Sequence, residues 1–571
     1  MNKPGSQGAE SRGAEEPRSR GAEFDETANQ FRWPRLLGSS APLLLCFLLA
    51  LAVRCTGATW GLPNEARWYS YHPDESTRQV VGGVVSLLQG DFNPHFFNYP
   101  SLSIYATWLV HQLLAGLGFS TGAVSPEYPW PVVRDIIFAG RLFSIFCGAL
   151  TAPLVFLIAR QLKTGRAAVL AGILIALAPG HVQHSHFATV DVPASFFVVL
   201  CLFLSLRAQN WKGLALAALV AGLAAGTKYN AGLVLIAPIV SFHFLWKRDV
   251  GRSLQSQISG SLALPLVALL SFFVTTPYAL LAPREFWGDG LRGGESGFAY
   301  ELLVHPKIGS GEIFQGSGNG WIYHLTFNLP FVLTWPLVIA ALVGIGFACK
   351  KREFWPHLIF AGAFLFSLGF SQVRFMRYLL PLAPVLCLMA AYGASRLRFP
   401  KVWGAVLAGF ALIGCCNVLE PFTQTDPRDL AAAALRDNYL RDSVLRDNYS
   451  RGEKIALANN PWFWTPPFQP RGDNISISNS NSKIAVTGFD FEKLKSAQAR
   501  AFAVSEFEFR EAVRLRPAGS ESQFLKSLQA RSNAVSIFKN KVTFSLPGRD
   551  FVPHDYLYTN PETRIYQLGA N

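Results

Sequence analysis

Apolar and polar positions vary on two different scales along this chain. Over the first three quarters, apolar runs of membrane-crossing length, roughly 17–25 residues, occur near 37–58, 135–161, 167–188, 193–209, 213–227, 229–246, 258–281, 326–348, 354–371, 379–394 and 402–419. They predict about eleven transmembrane helices. Beyond residue 425 the period shortens. Lys454 to Ala458, Asn474 to Ser478, Lys483 to Val486, Ala501 to Phe507 and Lys541 to Ser545 alternate as half-buried strands do, with helix-like stretches such as 521–530 between them. The expectation is an all-α polytopic membrane protein carrying a C-terminal soluble α/β domain. Its divisions would be a disordered cytoplasmic tail over 1–36, a membrane domain over 37–420 and an exoplasmic domain over 421–571. No cleavable signal peptide precedes the first apolar run. The Leu435–Tyr439 pentapeptide returns at Leu445–Tyr449, a local duplication in a polar helix rather than a repeat architecture.

Composition supports the membrane reading. Half of the residues are hydrophobic and 15% are charged, fewer charges than a soluble chain of this length carries. The 45 Phe and 14 Trp suit lipid-facing and interfacial positions. A net charge of +14 would suggest nucleic acid in a soluble protein. Here the basic residues cluster in short connections between apolar runs, so the charge reports topology and nucleic-acid binding is not expected. All eight Cys lie in or beside apolar runs and none follows Cys416, which excludes a disulfide framework in the C-terminal region and gives no metal-ligand spacing.

With a cytoplasmic N-terminus bearing Arg32 and Arg35, every even-numbered connection is basic: Arg160, Lys163 and Arg166; Arg207 and Lys212; Lys247, Arg248 and Arg252; Lys350, Lys351 and Arg352; Arg396, Arg398 and Lys401. The exoplasmic side then receives 59–134, the turns at Asp191, Lys228 and Arg374–Tyr378, the loop 282–325 and the C-terminal region. Counting 101–118 as a span would invert these assignments, so it is read as a helix lying in the interface.

The unusual ionisable residues gather on that exoplasmic side. Asp74 and Glu75 follow Tyr71-His72-Pro73, and Asn93-Pro94-His95-Phe96-Phe97-Asn98-Tyr99-Pro100 comes next in the same loop. Asp191 closes a segment containing His181, His184 and His186; Arg141, Lys228, Arg374 and Arg377 add cations. Charges near hydrocarbon are costly, so several at one face mark a site. Acids with bases at headgroup level suit a reaction on a phosphate-bearing lipid: bases hold a leaving phosphate while a carboxylate takes a proton from an attacking hydroxyl. Each residue also has a structural reading. Asp74 and Glu75 could be structural acids, Asp191 could begin a helix, and Arg374 and Arg377 could be anchors that reach to headgroups. The His residues tempt one to a metal site using His184 and His186, but their spacing matches no established motif.

The His-Pro-Asp-Glu and Asn-Pro-His-Phe-x-Asn-Tyr-Pro motifs, then Gly140-Arg141-Leu142, Asp191, Gly226-Thr227-Lys228-Tyr229-Asn230 and Arg374-x-x-Arg377-Tyr378-x-x-Pro381 together resemble the GT-C membrane glycosyltransferases. Within these the pattern is similar to bacterial relatives of the dolichyl-phosphate-mannose protein mannosyltransferases and of the aminoarabinose transferase that modifies lipid A. The resemblance implies an inverting transfer, without a covalent enzyme intermediate, from a polyprenyl-phosphate sugar to a protein, lipid or glycan acceptor outside the inner membrane. It makes Asp74 the general base, Glu75 its supporting carboxylate and Asp191 a second catalytic acid. Lys228, Arg374, Arg377 and Arg141 are then expected at the donor phosphate, with His72, His95, Asn98, Tyr99 and Tyr378 around the substrates. No cofactor is required on this reading, and a divalent cation is compatible with it. The rival class is a transporter or flippase of a lipid-linked glycan, which would show internal repeats and midplane charges that the sequence lacks.

Overall fold

Long apolar runs rich in Ala, Leu, Val and Phe have one low-energy answer in lipid, a helix that satisfies its own backbone. Each of the eleven runs is mostly helical over its described part. The computed structural model describes residues 40–75, 79–120, 130–246, 254–437, 454–467, 484–543 and 551–569. The N-terminal tail, the strand expected at Asn474–Ser478 and most of the duplicated pentapeptides lie outside these residues.

In chain order the first helices are α1 (Ser40–Cys55), α2 (Val80–Leu88), α3 (Leu102–Gly116), α4 (Trp130–Gln161), α5 (Ala167–Ala176), α6 (Pro179–His184), α7 (Asp191–Arg207), α8 (Trp211–Thr227), α9 (Ile236–Trp246) and α10 (Leu254–Thr275). Further helices follow at Trp335–Ala348, Trp355–Gly369, Ala383–Ala394 and Pro400–Leu419. Among the described residues, three helical segments are long and apolar enough to cross a bilayer: Trp130–Gln161, Met376–Ala394 and Pro400–Leu435. Gly320–Leu333 and Trp335–Ala348 would make a fourth, bent by 112°. The uniform set of eleven full spans is therefore not reproduced. The apolar runs are interrupted where the backbone cannot continue a helix, at Pro179 after α5, at Pro277 after α10 and at Thr334-Trp335-Pro336.

Helix α3 has 15 residues, about 22 Å of rise and short of the roughly 30 Å hydrocarbon core. It buries Ser103, Ile104, Thr107 and His111 on the α4 side and exposes Leu109 and Leu113, a disposition that suits a helix lying against lipid.

The central core joins α1, α4, α5, α7, α8 and the helices after residue 329, filled by small and branched side chains such as Ala149, Ala171, Val198, Ala221, Leu337 and Leu388. Backbones approach closely where glycine permits. A Cβ on Gly344 would overlap the Met389 carbonyl, and one on Gly393 would meet the Ala340 carbonyl. Glycine is what lets Trp335–Ala348 and Ala383–Ala394 pack so tightly.

The C-terminal segment carries a five-stranded sheet, β1 (Lys454–Leu457), β2 (Ile484–Val486), β3 (Ala499–Ser505), β4 (Ala534–Phe538) and β5 (Thr563–Gln567), in the order β2-β1-β3-β5-β4. β1 runs parallel to β2 and β3, whereas β5 is antiparallel to both β3 and β4. The period of two divides the side chains between faces. Ala456, Phe502, Val504 and Tyr566 pack on Phe509, Phe524 and Leu528 on one face, and Ile455, Ala501, Ala503 and Ile565 on Ala431 and Leu435 on the other. Of the strand expected at 541–545, residues 541–543 are not extended in the sheet and 544–545 lie outside the described residues; β4 precedes them, and Thr543 bonds the Glu420 carboxylate through its backbone N–H and its hydroxyl, each at 2.7 Å.

The sheet segment packs into one unit with the helices from Ala41 onward. The Tyr71 ring lies between two guanidinium groups, Arg67 at 3.8 Å and Arg428 at 3.7 Å, and its hydroxyl donates to Asp429 at 2.5 Å. Arg428 also donates to the carbonyls of Phe463 and Tyr558, both at 2.6 Å. The first loop and the C-terminal segment are thereby joined beside the Asp74 turn.

Gly344→Val should force the two backbones apart, at a cost of about 1–3 kcal/mol typical of overpacking. Thermal unfolding of the detergent-solubilised protein would register this as a lowered Tm, whereas Gly346→Ala, which meets open space, should leave the midpoint near that of the parent.

Candidate active site

The carboxylates of the Asp74-Glu75 pair point to different places. Both residues sit in a one-turn 3-10 helix, Pro73–Glu75, and both are buried. Glu75 turns inward onto Arg141 of α4, receiving Nε at 2.8 Å and Nη2 at 2.7 Å. Ser70 donates to the same carboxylate at 2.5 Å and the Ala188 N–H at 2.7 Å. Burial pushes the Glu75 carboxyl up, but Arg141, with help from His72 and Ser70, more than offsets this and holds it below its ordinary range. Arg141 completes its donors on the Ala58 and Trp60 carbonyls at 3.0 and 2.5 Å. Neither residue lines the cavity described below. Arg141, expected at the phosphate, and Glu75, expected to support Asp74, here form a brace that ties the first loop to α4 and to the connection before α7.

Asp74 faces the other way. Its Oδ2 is 3.1 Å from Nη2 of Arg377, and both residues line a cavity of about 300 Å³. Pro73, Phe96, Asn98 and Tyr99 from the first loop, Phe375 and Tyr378 beside Arg377, and Tyr300, Glu301 and His305 from the second long loop share its walls. Phe463, His554 and Tyr558 of the C-terminal segment complete it. The wall is largely aromatic, with Asp74, Arg377 and Glu301 as its charged groups, and Glu301 is 3.4 Å from His305.

Arg377 is the junction of the charges. Nη1 meets Asp555 at 2.7 Å, Nη2 meets Asp74, and Nε faces Asp191 at 3.9 Å. Asp191 opens α7 and receives Nζ of Lys228 at 2.6 Å, and that ammonium also lies 4.1 Å from the Tyr378 ring centre. Lys228 and Asp191 thus stand behind the cavity wall, not on it. Arg374 is committed elsewhere, donating to the Ser317 hydroxyl at 2.7 Å and the Gly318 carbonyl at 2.8 Å, so it pins the second loop.

Several residues expected to touch substrate serve the scaffold. His95, at a positive φ of 51°, binds Glu285 at 2.5 Å and Asp91 at 2.8 Å, clipping the two long loops together. Asn98 does both, lining the cavity while donating to the Glu295 carbonyl at 3.0 Å and accepting from the Gly297 N–H at 2.8 Å. His72 is packed between Phe187 and Tyr558, with ring centres 4.3 and 4.4 Å away, and its Nδ1 accepts the Asp74 N–H at 3.2 Å. Burial, reinforced by Arg377, pushes its pKa well below the usual range, so it stays neutral. The three His of the α6 region do not converge. His181 meets Arg54 at 3.0 Å, His186 lies between the Val182 and Thr56 carbonyls at 2.9 and 2.8 Å, and His184 lies 3.8 Å from Asp555. Among the described residues no three His, Cys, Asp or Glu side chains are arranged to hold a metal ion.

Four residues that matter here stand outside the motifs. Asp555, Glu301 and His305 lie far from the motifs, and Arg54 sits inside an apolar run. There Arg54 donates to Ala50 and Ala176 carbonyls, each at 2.9 Å, and to the Ser185 hydroxyl at 3.1 Å. A lone arginine in a membrane helix is itself a signal of a buried partner.

Residues 132–278 match the family described as dolichyl-phosphate-mannose-protein mannosyltransferase. The chain is 29% identical over 408 residues to the undecaprenyl phosphate-alpha-4-amino-4-deoxy-L-arabinose arabinosyl transferase of Yersinia enterocolitica, covering 67% of this chain and 65% of that one. It is 27% identical over 288 residues to the second such transferase of Proteus mirabilis, covering 48% and 49% of the two chains. The matches thus span less than two thirds of the length of these curated relatives. Among solved structures, ArnT from Cupriavidus metallidurans bound to undecaprenyl phosphate aligns with a TM-score of 0.45 at 15% identity, covering 92% of this chain and 98% of that one. In sequence the chain is similar to GT-C glycosyltransferases of the aminoarabinose-transferase and protein-mannosyltransferase kinds, the resemblance that the first-loop motifs carried.

Glu75→Gln should destabilise the protein by about 3–5 kcal/mol, because it leaves the Arg141 charge buried without its partner. The pH dependence has a definite sign. Glu75 titrates lower in the folded chain than its ordinary value of 4.5. Its contribution is therefore fully present above that value and disappears as falling pH passes through the folded pKa. Acid unfolding of parent and variant, followed by tryptophan fluorescence, should converge at the acid end.

Proposed function

We propose that this protein is an integral-membrane, inverting glycosyltransferase that moves a sugar from a polyprenyl-phosphate donor to an acceptor hydroxyl on the exoplasmic side of the inner membrane. The observation that carries the reading is the Asp74 carboxylate 3.1 Å from the Arg377 guanidinium on the wall of an aromatic-lined cavity. Its likeness to lipid-phosphate-dependent transferases supports the donor class.

In this reading Asp74 takes the proton as the acceptor oxygen attacks the anomeric carbon. The bond from that carbon to the phosphate oxygen breaks, its electron pair leaves with the polyprenyl phosphate, and attack opposite the leaving group inverts the centre. Arg377 faces the phosphate as its charge develops, and fixed cations near lipid act at low effective dielectric. Lys228 holds Asp191, which faces the Nε edge of Arg377 only at 3.9 Å, so both act from behind through their charge. Tyr99, Tyr378 and Asn98 border the sugar. The transfer changes no oxidation state and needs no cofactor; a divalent cation at the phosphate is compatible with it. The cavity draws most of its lining from the two long loops and the C-terminal segment, with Arg377 and Tyr378 from the first turn of Met376–Ala394, and this favours chemistry at the end of the helices over transport through a midplane pathway. The basic connections between the apolar runs support a cytoplasmic N-terminus and a cavity on the outer side.

Purified protein incubated with undecaprenyl- and dolichyl-phosphate sugars should release polyprenyl phosphate from at least one of them; release from none would defeat the proposal. Asp74→Asn, of the same shape but unable to take the proton, should lower turnover by about a hundredfold or more while the fold persists. Arg377→Lys should already impair donor use, since an ammonium cannot reproduce the planar fork. Parent-like turnover in either variant would remove that residue from the mechanism.

A further inference from the structure

Asp555 is the deepest carboxylate of the cluster and comes from the segment most distant in sequence from the first-loop motifs. It lies in the short helix His554–Leu557 with no exposed surface. Oδ1 receives Nη1 of Arg377 at 2.7 Å, and Oδ2 accepts the Met376 N–H at 2.6 Å. Its own carbonyl accepts from Gln183 at 3.1 Å, so the segment carrying it is held to the α6 region as well. A buried carboxylate is expensive unless it is paired and hydrogen-bonded. Both oxygens here are used, one on a backbone N–H of the turn that carries Arg377 and the other on its guanidinium.

We infer that Asp555 is a positioning residue of the active site: it holds Arg377 so that the guanidinium gives Asp74 a single-point contact and leaves the rest of that carboxylate to the cavity. This rests on reading the cavity as the transfer site. The geometry of the fork supplies the reason. A planar guanidinium next to a carboxylate closes into a two-point pair unless another partner takes one edge. Asp191 is a poor competitor, because Lys228 already meets it at 2.6 Å and Arg377 stands 3.9 Å away. Asp555 is close enough to fix the Nη1 edge. Without it, the Tyr558 hydroxyl and the Phe375 ring at 4.0 Å still touch Arg377 but are neutral, so Asp74 can draw the guanidinium into a two-point pair that occupies both oxygens, one of which must accept the proton. The C-terminal segment thereby supplies part of the catalytic arrangement in addition to the Phe463, His554 and Tyr558 wall.

The test is Asp555→Asn in the full-length detergent-solubilised protein, with affinity for undecaprenyl phosphate, turnover and thermal midpoint measured together. Turnover should fall by about ten- to a hundredfold, the scale of misplacing a catalytic group. Affinity for undecaprenyl phosphate should hold or tighten, because one negative charge beside the phosphate-facing arginine is gone. A merely structural residue would lose affinity and turnover in step, and that result, or parent-like turnover, would overturn the inference. Asp555→Glu, which keeps the charge, should recover part of the turnover lost in Asp555→Asn, and serves if the Asn variant does not fold: it must then lower turnover without weakening lipid affinity. A substrate-free arm compares the thermal midpoints of Asp555→Asn, Arg377→Gln and the double variant. The losses should be clearly less than additive, and additive losses would refute the clamp. A parent that binds no undecaprenyl phosphate would defeat the transfer reading, and this arm would still decide whether Asp555 holds Arg377.

Discussion

The ion pair between Glu75 and Arg141 is what makes the rest of the site arrangeable. Two adjacent acids on one turn repel each other and cannot both face a small cavity at low cost. By turning Glu75 into the protein, onto a guanidinium that is itself saturated by backbone carbonyls, the fold neutralises one of them and fixes the plane of the turn. Asp74 is then presented alone. The same brace receives the Ala188 N–H, and so it sets the start of α7 and the height of Asp191. One buried pair therefore coordinates the positions of two carboxylates that belong to different loops.

Around that fixed turn the charges are layered. Asp74, Asp191 and Asp555 surround Arg377, with Lys228 behind, so the formal sum of these five groups is one negative charge. In a low-dielectric setting such a cluster is stable only if each member has a defined partner, and each does. The loops obey a similar logic. His95 and Asn98 join the first long loop to the second, while Arg514 and Arg516 of the C-terminal segment hold the second loop at Gln315 and Glu312. The cavity is consequently bounded on three sides by elements that constrain each other.

The positions of the helices were readable because lipid imposes a coarse rule that apolar runs must obey, and the strand faces were readable because a period of two survives in short segments such as Ile455–Leu457. Asp74 and Arg377 could be picked out as candidates because charges are costly there, whereas Asn98, Tyr99 and Tyr378 were picked out by the motif resemblance. What the sequence could not convey is pairing. Residue type and position alone do not distinguish Glu75 from Asp74, which only the motif resemblance separated, since the choice depends on which of them an arginine 66 residues later can reach. Arg141, Arg374 and His95 carry the residue types of ligand contacts and are consumed by carbonyls or carboxylates of the scaffold. Asp555 was invisible because its segment reads as an ordinary polar stretch; only the docking of that stretch onto the helices gives it meaning. The broken helices were missed because a hydropathy window does not feel Pro179 or Pro277.

The Tyr71 ring, held between Arg67 and Arg428, sets an order of events. During synthesis the helices through Leu419 emerge first, and 135 residues separate Leu419 from Asp555. Arg428 comes early in that interval, but until its end Arg377 lacks its inner partner and the cavity lacks the wall made by His554 and Tyr558. The nascent chain therefore passes through a state in which Asp74 and the long apolar helices exist without Asp555 and without the last wall of the cavity. On the proposed reading, a chain stalled or cleaved before that segment docks would be inactive rather than uncontrolled.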